Sequence, residues 1–296
     1  MFERQEPQAI IKLPLFLTES LLPLRSGPRV QTRAYQDCFI TIQGGTIKGK
    51  DALLPSGIIG RRLLFYFITQ AHSQKSPVIE ISGTQSLLTE IGISHKGTAR
   101  HRVKRELVRL SKTFITIDRF PWSQAVKGTE IDSESFEGHN FRIMKGISLY
   151  NVDKPEQLNL FKSRVEFAPE FYDLLVQLYN HHPPIDKESL WAIDSPLATD
   201  VYCWLQRKVC SPRVVGSLEL NWKVIYGQFG RGEQISKFKS AFRKAMKSAS
   251  EQIKTYKTDP FTYDRPPIEE TKSGIRINPQ KQQVRELSKP KNSGWV

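Results

Sequence analysis

One order of secondary-structure signals occurs twice along this chain, and it restricts the fold more than any other feature. Each copy runs from an apolar helix to a short alternating strand, a short helix that ends at a glycine, a turn, a strongly basic helix and two further strands. The apolar spacing changes between the helical period and the strand period within each copy, which is typical of domains that mix helices with antiparallel sheet. The sequence therefore predicts an α+β fold.

The first copy begins where Ser56 precedes a long apolar run, as the N-cap residue of a helix does. The alternating residues of PVIEI predict a strand, and Gly92 is a natural residue to follow the end of a short helix. The predicted elements are helix 56–73, strand 77–81, a short helix up to Gly92, basic helix 97–112, and strands 113–120 and 141–152.

The second copy begins with Ser195 as N-cap and Pro196 at the first helical position. Its predicted elements are helix 195–209, strand 217–220, a short helix up to Gly230, basic helix 235–254, and strands within 260–264 and 274–278. A short helix, a turn and a second helix form a helix-turn-helix, and a β-hairpin placed behind it makes a winged helix. We therefore expect two tandem winged-helix domains.

The segments around the two copies set the expected domain boundaries. Weak periodicity and several prolines over 1–35 predict a flexible N-terminal arm, and the polar, lysine-containing residues 280–296 predict a flexible tail. The stretch NHHPPID, residues 180–186, carries two prolines that stop a helix and stiffen a connection. We expect the first domain to cover residues 36–182 and the second to cover residues 183–279.

The positive charge of the chain is concentrated on the two predicted basic helices. The formal net charge is +14, and the segments 95–112 and 235–254 carry net charges of +6 and +5. Glu–Lys pairs stabilise ordinary solvated helices, so helices of nearly one sign repel themselves unless an anionic partner relieves the repulsion. The charge pattern therefore predicts that both helices bind a polyanion.

Double-stranded DNA is the polyanion that this pattern favours. A basic second helix of a helix-turn-helix lies in the major groove, where arginine binds guanine bidentately and other cations hold phosphates. Arg243 is the first choice for the guanine contact. The outward positions expected to contact DNA are Lys96, Thr98, Arg100, His101, Lys104, Arg105 and Arg109 in the first domain, and Ser236, Lys237, Lys239, Ser240, Arg243, Lys244 and Lys247 in the second.

Two other anionic partners fit the sequence less well. A membrane-surface helix needs large apolar residues that are free to enter lipid, whereas the stripe of Ile235, Phe238, Phe242 and Ile253 is expected to face the domain core. The chain also lacks an apolar run of the roughly 18 residues that a membrane span requires. No aromatic stacking motif of the kind used by RNA-recognition motifs is present. A cytoplasmic protein is expected.

The motifs that suggest catalysis or cofactor binding are incomplete. GGTIKGKD, residues 44–51, has the spacing of a phosphate loop but carries Asp51 where a hydroxyl should bind Mg²⁺, so a glycine-rich turn is favoured. The adjacent His181 and His182 face opposite ways if they lie on a strand, unlike paired nuclease ligands. The three cysteines have no zinc or disulfide spacing. We expect neither an enzyme nor a metal or other cofactor.

The ordered motifs resemble a known family. SPLATDVYCWLQRKV, then SLELNWKVIYGQFG, then ISKFKSAFRKAM are similar to motifs of plasmid-encoded RepA-type replication initiators, a family related in architecture to other iteron-binding initiators. LLPSGIIGRRLLFYFITQAHSQKSPVIEI in the first copy is similar as well, and the resemblance covers about residues 50–280. The family's turn of small residues before the first basic helix is SHKGTA here.

The resemblance implies binding to tandem repeats at a plasmid origin and initiation of replication with host initiation proteins and helicase. It also implies a homodimer that represses its own promoter, because related initiators switch between dimer and monomer. Two alternatives stay open on the residues alone: a DNA-binding transcriptional repressor with no part in replication, and an enzyme that nicks DNA.

Overall fold

The computed structural model describes residues 10–12, 17, 22–35, 38–119, 137–149, 163–178, 184–209, 217–253 and 267–278. The chain has the expected α+β composition and divides into two compact units. The central unit is Glu19–Asn180, and the C-terminal unit combines Met1–Thr18 with His181–Val296. The division between residues 180 and 181 lies two residues before the boundary that the prolines indicated.

The described residues of the central unit form four helices. They are α1 (Gly57–Gln74), α2 (Thr84–Glu90), the basic helix α3 (Ala99–Leu110) and α4 (Pro169–Leu178). The helix α2 ends as expected: Gly92 has a φ of 64°. Its N–H bonds to Thr89, and the N–H of Ile93 bonds to Leu88. Such a left-handed glycine satisfies the last carbonyls of a helix. Ser56 is the N-cap residue of α1, as expected, and has extended conformation, although its side chain makes no capping hydrogen bond.

The strands of the central unit form two larger antiparallel sheets and one hairpin. The four-stranded sheet has the order β2 (Val30–Tyr35), β3 (Cys38–Gly44), β7 (Thr113–Arg119), β8 (Glu137–Arg142). The three-stranded sheet has the order β6 (Val78–Ile81), β10 (Ser163–Phe167), β9 (Met144–Ser148). The hairpin joins β4 (Thr46–Ile47) to β5 (Lys50–Asp51).

The strand expected at 141–152 is divided between these two sheets. Ile143 stands at the division, where its N–H donates to the carbonyl of Thr113 at 3.1 Å and its carbonyl accepts from Ala168 N at 3.2 Å. Its side chain is 1% exposed. A buried residue bonded to both neighbours lets one strand end and another begin without leaving an unsatisfied peptide group.

The C-terminal unit repeats the order expected of the second copy. A short antiparallel pair joins β1 (Ile10–Lys12) to β11 (Pro184–Asp186), and α5 (Lys187–Trp191) follows. The repeat itself is α6 (Pro196–Val209), β12 (Leu218–Asn221), α7 (Trp222–Phe229), α8 (Ile235–Glu251), β13 (Ile268–Glu270) and β14 (Gly274–Ile277). The three strands form an antiparallel sheet in the order β12, β14, β13. Strand β13 therefore begins at Ile268, later in the chain than the strand expected within 260–264. Residues 260–264 lie outside the described residues.

The core of the C-terminal unit is an aromatic cluster under α8. Phe242 is fully buried, and its ring centroid lies 5.3 Å from that of Phe229, 5.6 Å from that of Phe238 and 6.0 Å from that of Trp222. Edge-to-face pairs at such separations stabilise beyond the area they bury. The cluster therefore fixes which face of α8 points inward.

The predicted N-terminal arm does not stand apart from the domains. Strand β1 pairs with β11, and β2 pairs with β3 through six residue pairs. Strand β2 was missed because only half of the residues of VQTRAY are apolar and they do not alternate regularly with the polar ones. The predicted tail, 280–296, lies outside the described residues.

We predict that Phe242→Ala lowers the free energy of unfolding of the C-terminal unit by about 3–5 kcal/mol, because it removes a buried ring and leaves a cavity. Urea unfolding followed by tryptophan fluorescence measures the change. Lys244→Ala, two residues away on the exposed side of α8, is the control and should stay within about 0.5 kcal/mol of wild type. A loss below about 1 kcal/mol for Phe242→Ala would contradict the role given to the cluster.

Candidate nucleic-acid interface

The helix α8 presents a row of cations on the side away from its core. Phe238, Phe242, Ala245 and Ala249 are buried on the inner side. Ser236, Lys237, Ser240, Arg243, Lys244 and Lys247 are exposed, and Lys239 is half-buried. These are the seven residues that the sequence predicts to face outward, so the structure brings them onto one accessible surface.

The aromatic ring of Trp222 lies beneath two of these cations. The ammonium of Lys239 is 5.3 Å from the ring centroid, and the central guanidinium carbon of Arg243 is 5.5 Å from it. A cation within about 6 Å of an indole face is attracted by the negative potential of the ring. Trp222 is the first residue of α7 and is itself buried. Its ring therefore packs beneath Lys239 and Arg243 as a well-positioned support.

Arg243 is also held by a carboxylate from the sheet. Its Nε donates to Glu270 Oε1 at 3.0 Å and to Oε2 at 2.9 Å, and its Nη2 donates to Oε1 at 2.6 Å. These hydrogen bonds hold the pKa of Glu270 below its usual value and raise the pKa of Arg243. The expected guanine-binding residue is therefore a paired arginine.

A second ion-pair system lies on the same sheet. The guanidinium of Arg276 donates to Glu219 on β12 at 2.5 and 2.9 Å and to Glu269 on β13 at 3.2 Å. Hydrogen bonds to Glu219 and then to Glu269 raise the pKa of Arg276. Adjacent strand residues point to opposite faces, so Glu269 and Glu270 serve different arginines.

The helix α3 presents most, but not all, of the residues expected to face outward in the central unit. Lys96, Thr98, Arg100, His101 and Arg105 are exposed, and Lys104 is half-buried. The side chain of Arg109 is only 11% exposed and forms an ion pair with Glu106 at 2.9 Å. The prediction that Arg109 faces outward to contact DNA is therefore wrong. Positions 106 and 109 lie about one turn apart on the same face of α3, so Arg109 pairs with Glu106 of its own helix.

Glu106 ties the basic helix α3 to the start of α1. Its side chain is 3% exposed. One carboxylate oxygen accepts the backbone N–H of Ser56 at 2.8 Å, and the other accepts from Arg109 at 2.9 Å and from Arg105 at 3.3 Å. The single acid of this segment therefore satisfies the peptide N–H of the N-cap residue Ser56 at the start of α1.

The turn before α3 is held by a polar network. The ring of His95 bridges Gln85 and Thr89 on α2 at 3.0 and 2.9 Å. Arg100 on α3 donates from Nη2 to Gln85 Oε1. This arrangement orders the SHKGTA turn and holds Arg100 against α2, so that Arg100, like Arg243, is directed by a neighbouring element.

The glycine-rich motif at 44–51 folds as the turn that the sequence favours. Lys48 and Gly49 have φ values of 50° and 74°, as the two central residues of a tight hairpin turn do. The hairpin lies beside α3 and forms a cleft of about 460 Å³ with it. The residues that line the cleft are Ile47, Asp51, Ala52, Leu53, Lys104, Arg105, Val108 and Arg109.

Within the described ranges, no group of three or more His, Cys, Asp or Glu side chains is placed to hold a metal ion. His181 and His182 lie outside those ranges. None of the described helices has the length and apolar character needed to cross a membrane.

Four residues that matter at these surfaces were not singled out by the sequence. Glu270, Trp222 and Gln85 direct arginines from elements that are distant in sequence, so periodicity within the basic helices could not reveal them. Arg102 is exposed on α3, and a helical projection that weighed every cation of the segment would have found it.

No protein-family model matches the chain, and no curated protein sequence does. Among solved structures, the chain is similar to a selenomethionine derivative of domains 2 and 3 of RctB, with a TM-score of 0.54 at 12% identity over 88% of this chain and 95% of that one. A second structure of RctB domains 2–3 gives a TM-score of 0.51 at 12% identity over 78% and 82%. At 12% sequence identity, these similarities show a likeness in fold alone.

We predict that Glu106→Ala lowers the free energy of unfolding of the central unit by about 3 kcal/mol. The change leaves Arg109 without its nearly buried partner and the Ser56 N–H without an acceptor. Urea unfolding measures the loss. Arg102→Ala, on the exposed side of the same helix, is the control and should change stability by less than about 0.5 kcal/mol. Equal stabilities for the two variants would show that the Glu106 contacts contribute nothing.

Proposed function

We propose that this protein is a replication initiator that binds double-stranded DNA at tandem origin repeats through two winged-helix domains. The observation that carries the proposal is the pair of basic helices, α3 and α8. Each follows a short helix and a turn, buries its apolar stripe and exposes cations on the other side. Each would lie in the major groove of the bound duplex.

The element order supports the winged-helix assignment most directly in the C-terminal unit. There, α6, α7 and α8 occur with a three-stranded antiparallel sheet, and its strands β13 and β14, which follow α8, pair with each other. In the central unit the strand β6, between α1 and α2, pairs with the hairpin of β9 and β10. The similarity in fold to RctB domains 2 and 3 spans most of the chain.

The burial of the apolar stripe supports duplex DNA over a membrane surface. Phe238 and Phe242 are 1% and 0% exposed, so these rings are not available to enter lipid. The exposed lysines of α8 are point charges suited to phosphates, and a helix is the element that the major groove admits. The aromatic residues of α8 face the core and offer no stacking platform for single-stranded RNA.

The role in replication rests on the motif resemblance to RepA-type initiators. A plasmid origin as the site, recruitment of host initiation proteins and helicase, and a homodimer that represses its own promoter belong to this proposal. A transcriptional repressor without a replication role is the second candidate. Directly repeated binding sites beside an AT-rich stretch favour the initiator, whereas a single palindrome over a promoter favours the repressor.

We propose that the protein acts without catalysing a reaction on DNA. Incubation of supercoiled plasmid carrying the bound repeats with the protein and Mg²⁺ should leave the plasmid supercoiled. Relaxed product linked covalently to the protein would identify a nicking enzyme and overturn this part of the proposal.

We predict that affinity for the bound repeats falls steeply with salt, because cations of α3 and α8 displace counterions from phosphates. The triple variant Lys237→Ala, Lys244→Ala and Lys247→Ala should reduce the slope of log affinity against log salt by roughly 2.5–3. Fluorescence anisotropy with a labelled duplex, titrated between about 50 and 200 mM salt, measures both slopes.

Lys75→Gly is the control for this experiment. Lys75 follows α1 in a left-handed conformation that glycine adopts readily, and its loss removes one cation outside the two basic helices. Its slope should match that of wild type. A wild-type slope near zero would contradict DNA binding through phosphate contacts, and equal slopes for the triple variant and wild type would exclude α8 as the binding helix.

A further inference from the structure

The guanidinium of Arg243 is hydrogen-bonded along one edge and lies against the face of an aromatic ring. Glu270 accepts from Nε and Nη2, which together form the side edge of the guanidinium. The ring of Trp222 lies 5.5 Å from the guanidinium carbon. Trp222 belongs to the buried aromatic cluster, so this support does not move with solvent-exposed side chains.

The opposite edge of the same guanidinium is available. A guanidinium carries five N–H donors, and Glu270 uses the Nε donor and one donor of Nη2. In the described part of the chain Nη1 makes no hydrogen bond, and 46% of the Arg243 side chain is exposed. The Nη1–Nη2 edge can therefore donate two parallel hydrogen bonds, as arginine does to guanine O6 and N7.

The ion pair also selects what this edge will bind. A phosphate carries negative charge, so the nearby Glu270 carboxylate repels it and offsets much of the attraction to Arg243. The major-groove edge of guanine is neutral and presents two hydrogen-bond acceptors. Binding to it depends more on the orientation of the two guanidinium donors than on net charge. Fixing the side chain in advance also reduces the rotamer entropy lost on binding. The pair therefore suits a base edge better than a phosphate.

From these contacts we infer that Glu270 and Trp222 are positioning residues that orient Arg243 to contact one guanine in the major groove, so that a carboxylate on the wing strand β13 controls base specificity. The inference rests on the proposed function, since it assumes that α8 lies in the major groove. Glu270 has the opposite effect on the two kinds of binding: it strengthens recognition of one sequence while its charge weakens contact with DNA of any sequence.

The experiment uses the full-length protein and two probes. The first is a duplex selected by the wild-type protein from a random pool, and the second is poly(dA-dT), which has no guanine and serves as non-specific DNA. Each guanine of the selected duplex is then replaced in turn by 7-deazaguanine, which keeps Watson–Crick pairing but lacks the N7 acceptor. Wild type should lose affinity at one guanine by roughly five- to 150-fold, and Arg243→Ala should be insensitive at that same guanine.

Glu270→Gln tests the positioning role directly. We expect at least about a five-fold loss of affinity for the selected duplex, a smaller penalty at the sensitive guanine, and unchanged or tighter binding to poly(dA-dT). Glu269→Gln is the matched control. It removes the same charge one residue away, but Glu269 pairs with Arg276 and not with Arg243. It should keep the wild-type penalty at that guanine. Thermal unfolding checks that both variants remain folded.

The other outcomes separate the two levels of the proposal. If Glu270→Gln raises affinity for both probes by the same factor and keeps the guanine penalty, Glu270 is only a repulsive charge and the inference is overturned. If no 7-deazaguanine substitution affects wild type, Arg243 contacts a phosphate or no DNA. If the random pool yields no enriched sequence, specific DNA binding fails as well, and with it the proposed function.

Discussion

Burial of the aromatic stripe of α8 is the interaction on which the C-terminal unit depends. Phe238 and Phe242 are spaced four residues apart, so their side chains lie on one face of the helix, and both are essentially inaccessible to solvent. Exposing either ring costs about 1.5–3 kcal/mol, a large fraction of the stability of an ordinary domain. The helix therefore has one favourable rotation about its axis, and that rotation directs Lys237, Lys244 and Lys247 outward.

The two basic helices control their charge by different means. In α3 the compensating carboxylate is Glu106, within the same helix, and it is buried against the start of α1. In α8 the compensating carboxylate is Glu270, which arrives from the sheet and remains partly exposed. The first arrangement serves packing, because a buried carboxylate needs its full set of partners. The second holds an arginine at the surface, where its remaining donors are accessible.

The cations of these surfaces consequently fall into two groups. Arg100 and Arg243 are each bonded by a side chain from another element, Gln85 and Glu270. Within the described part of the chain, Lys237, Lys244 and Lys247 of α8 make no such hydrogen bond, and they contribute a diffuse positive potential. Directed arginines suit recognition of particular acceptors, whereas mobile lysines suit attraction to any phosphate. A surface that combines both can hold DNA of any sequence and still distinguish one sequence from another.

The sequence by itself determined the helices of the two copies and most inward and outward positions of α3 and α8, because these depend on periodicity. The seven positions predicted to face outward on α8 are accessible, and the left-handed glycine after α2 was predicted as well, but Ile235, expected on the inward stripe, is 48% exposed. Only the tertiary structure decided that Val30–Tyr35 joins a sheet, that Ile143 divides a strand, that Arg109 turns inward to Glu106, and that Glu270 meets Arg243 across 27 positions of sequence. Strand pairing and ion pairs between distant elements leave no periodic mark in a sequence, since both partners acquire their roles only when the chain brings them together.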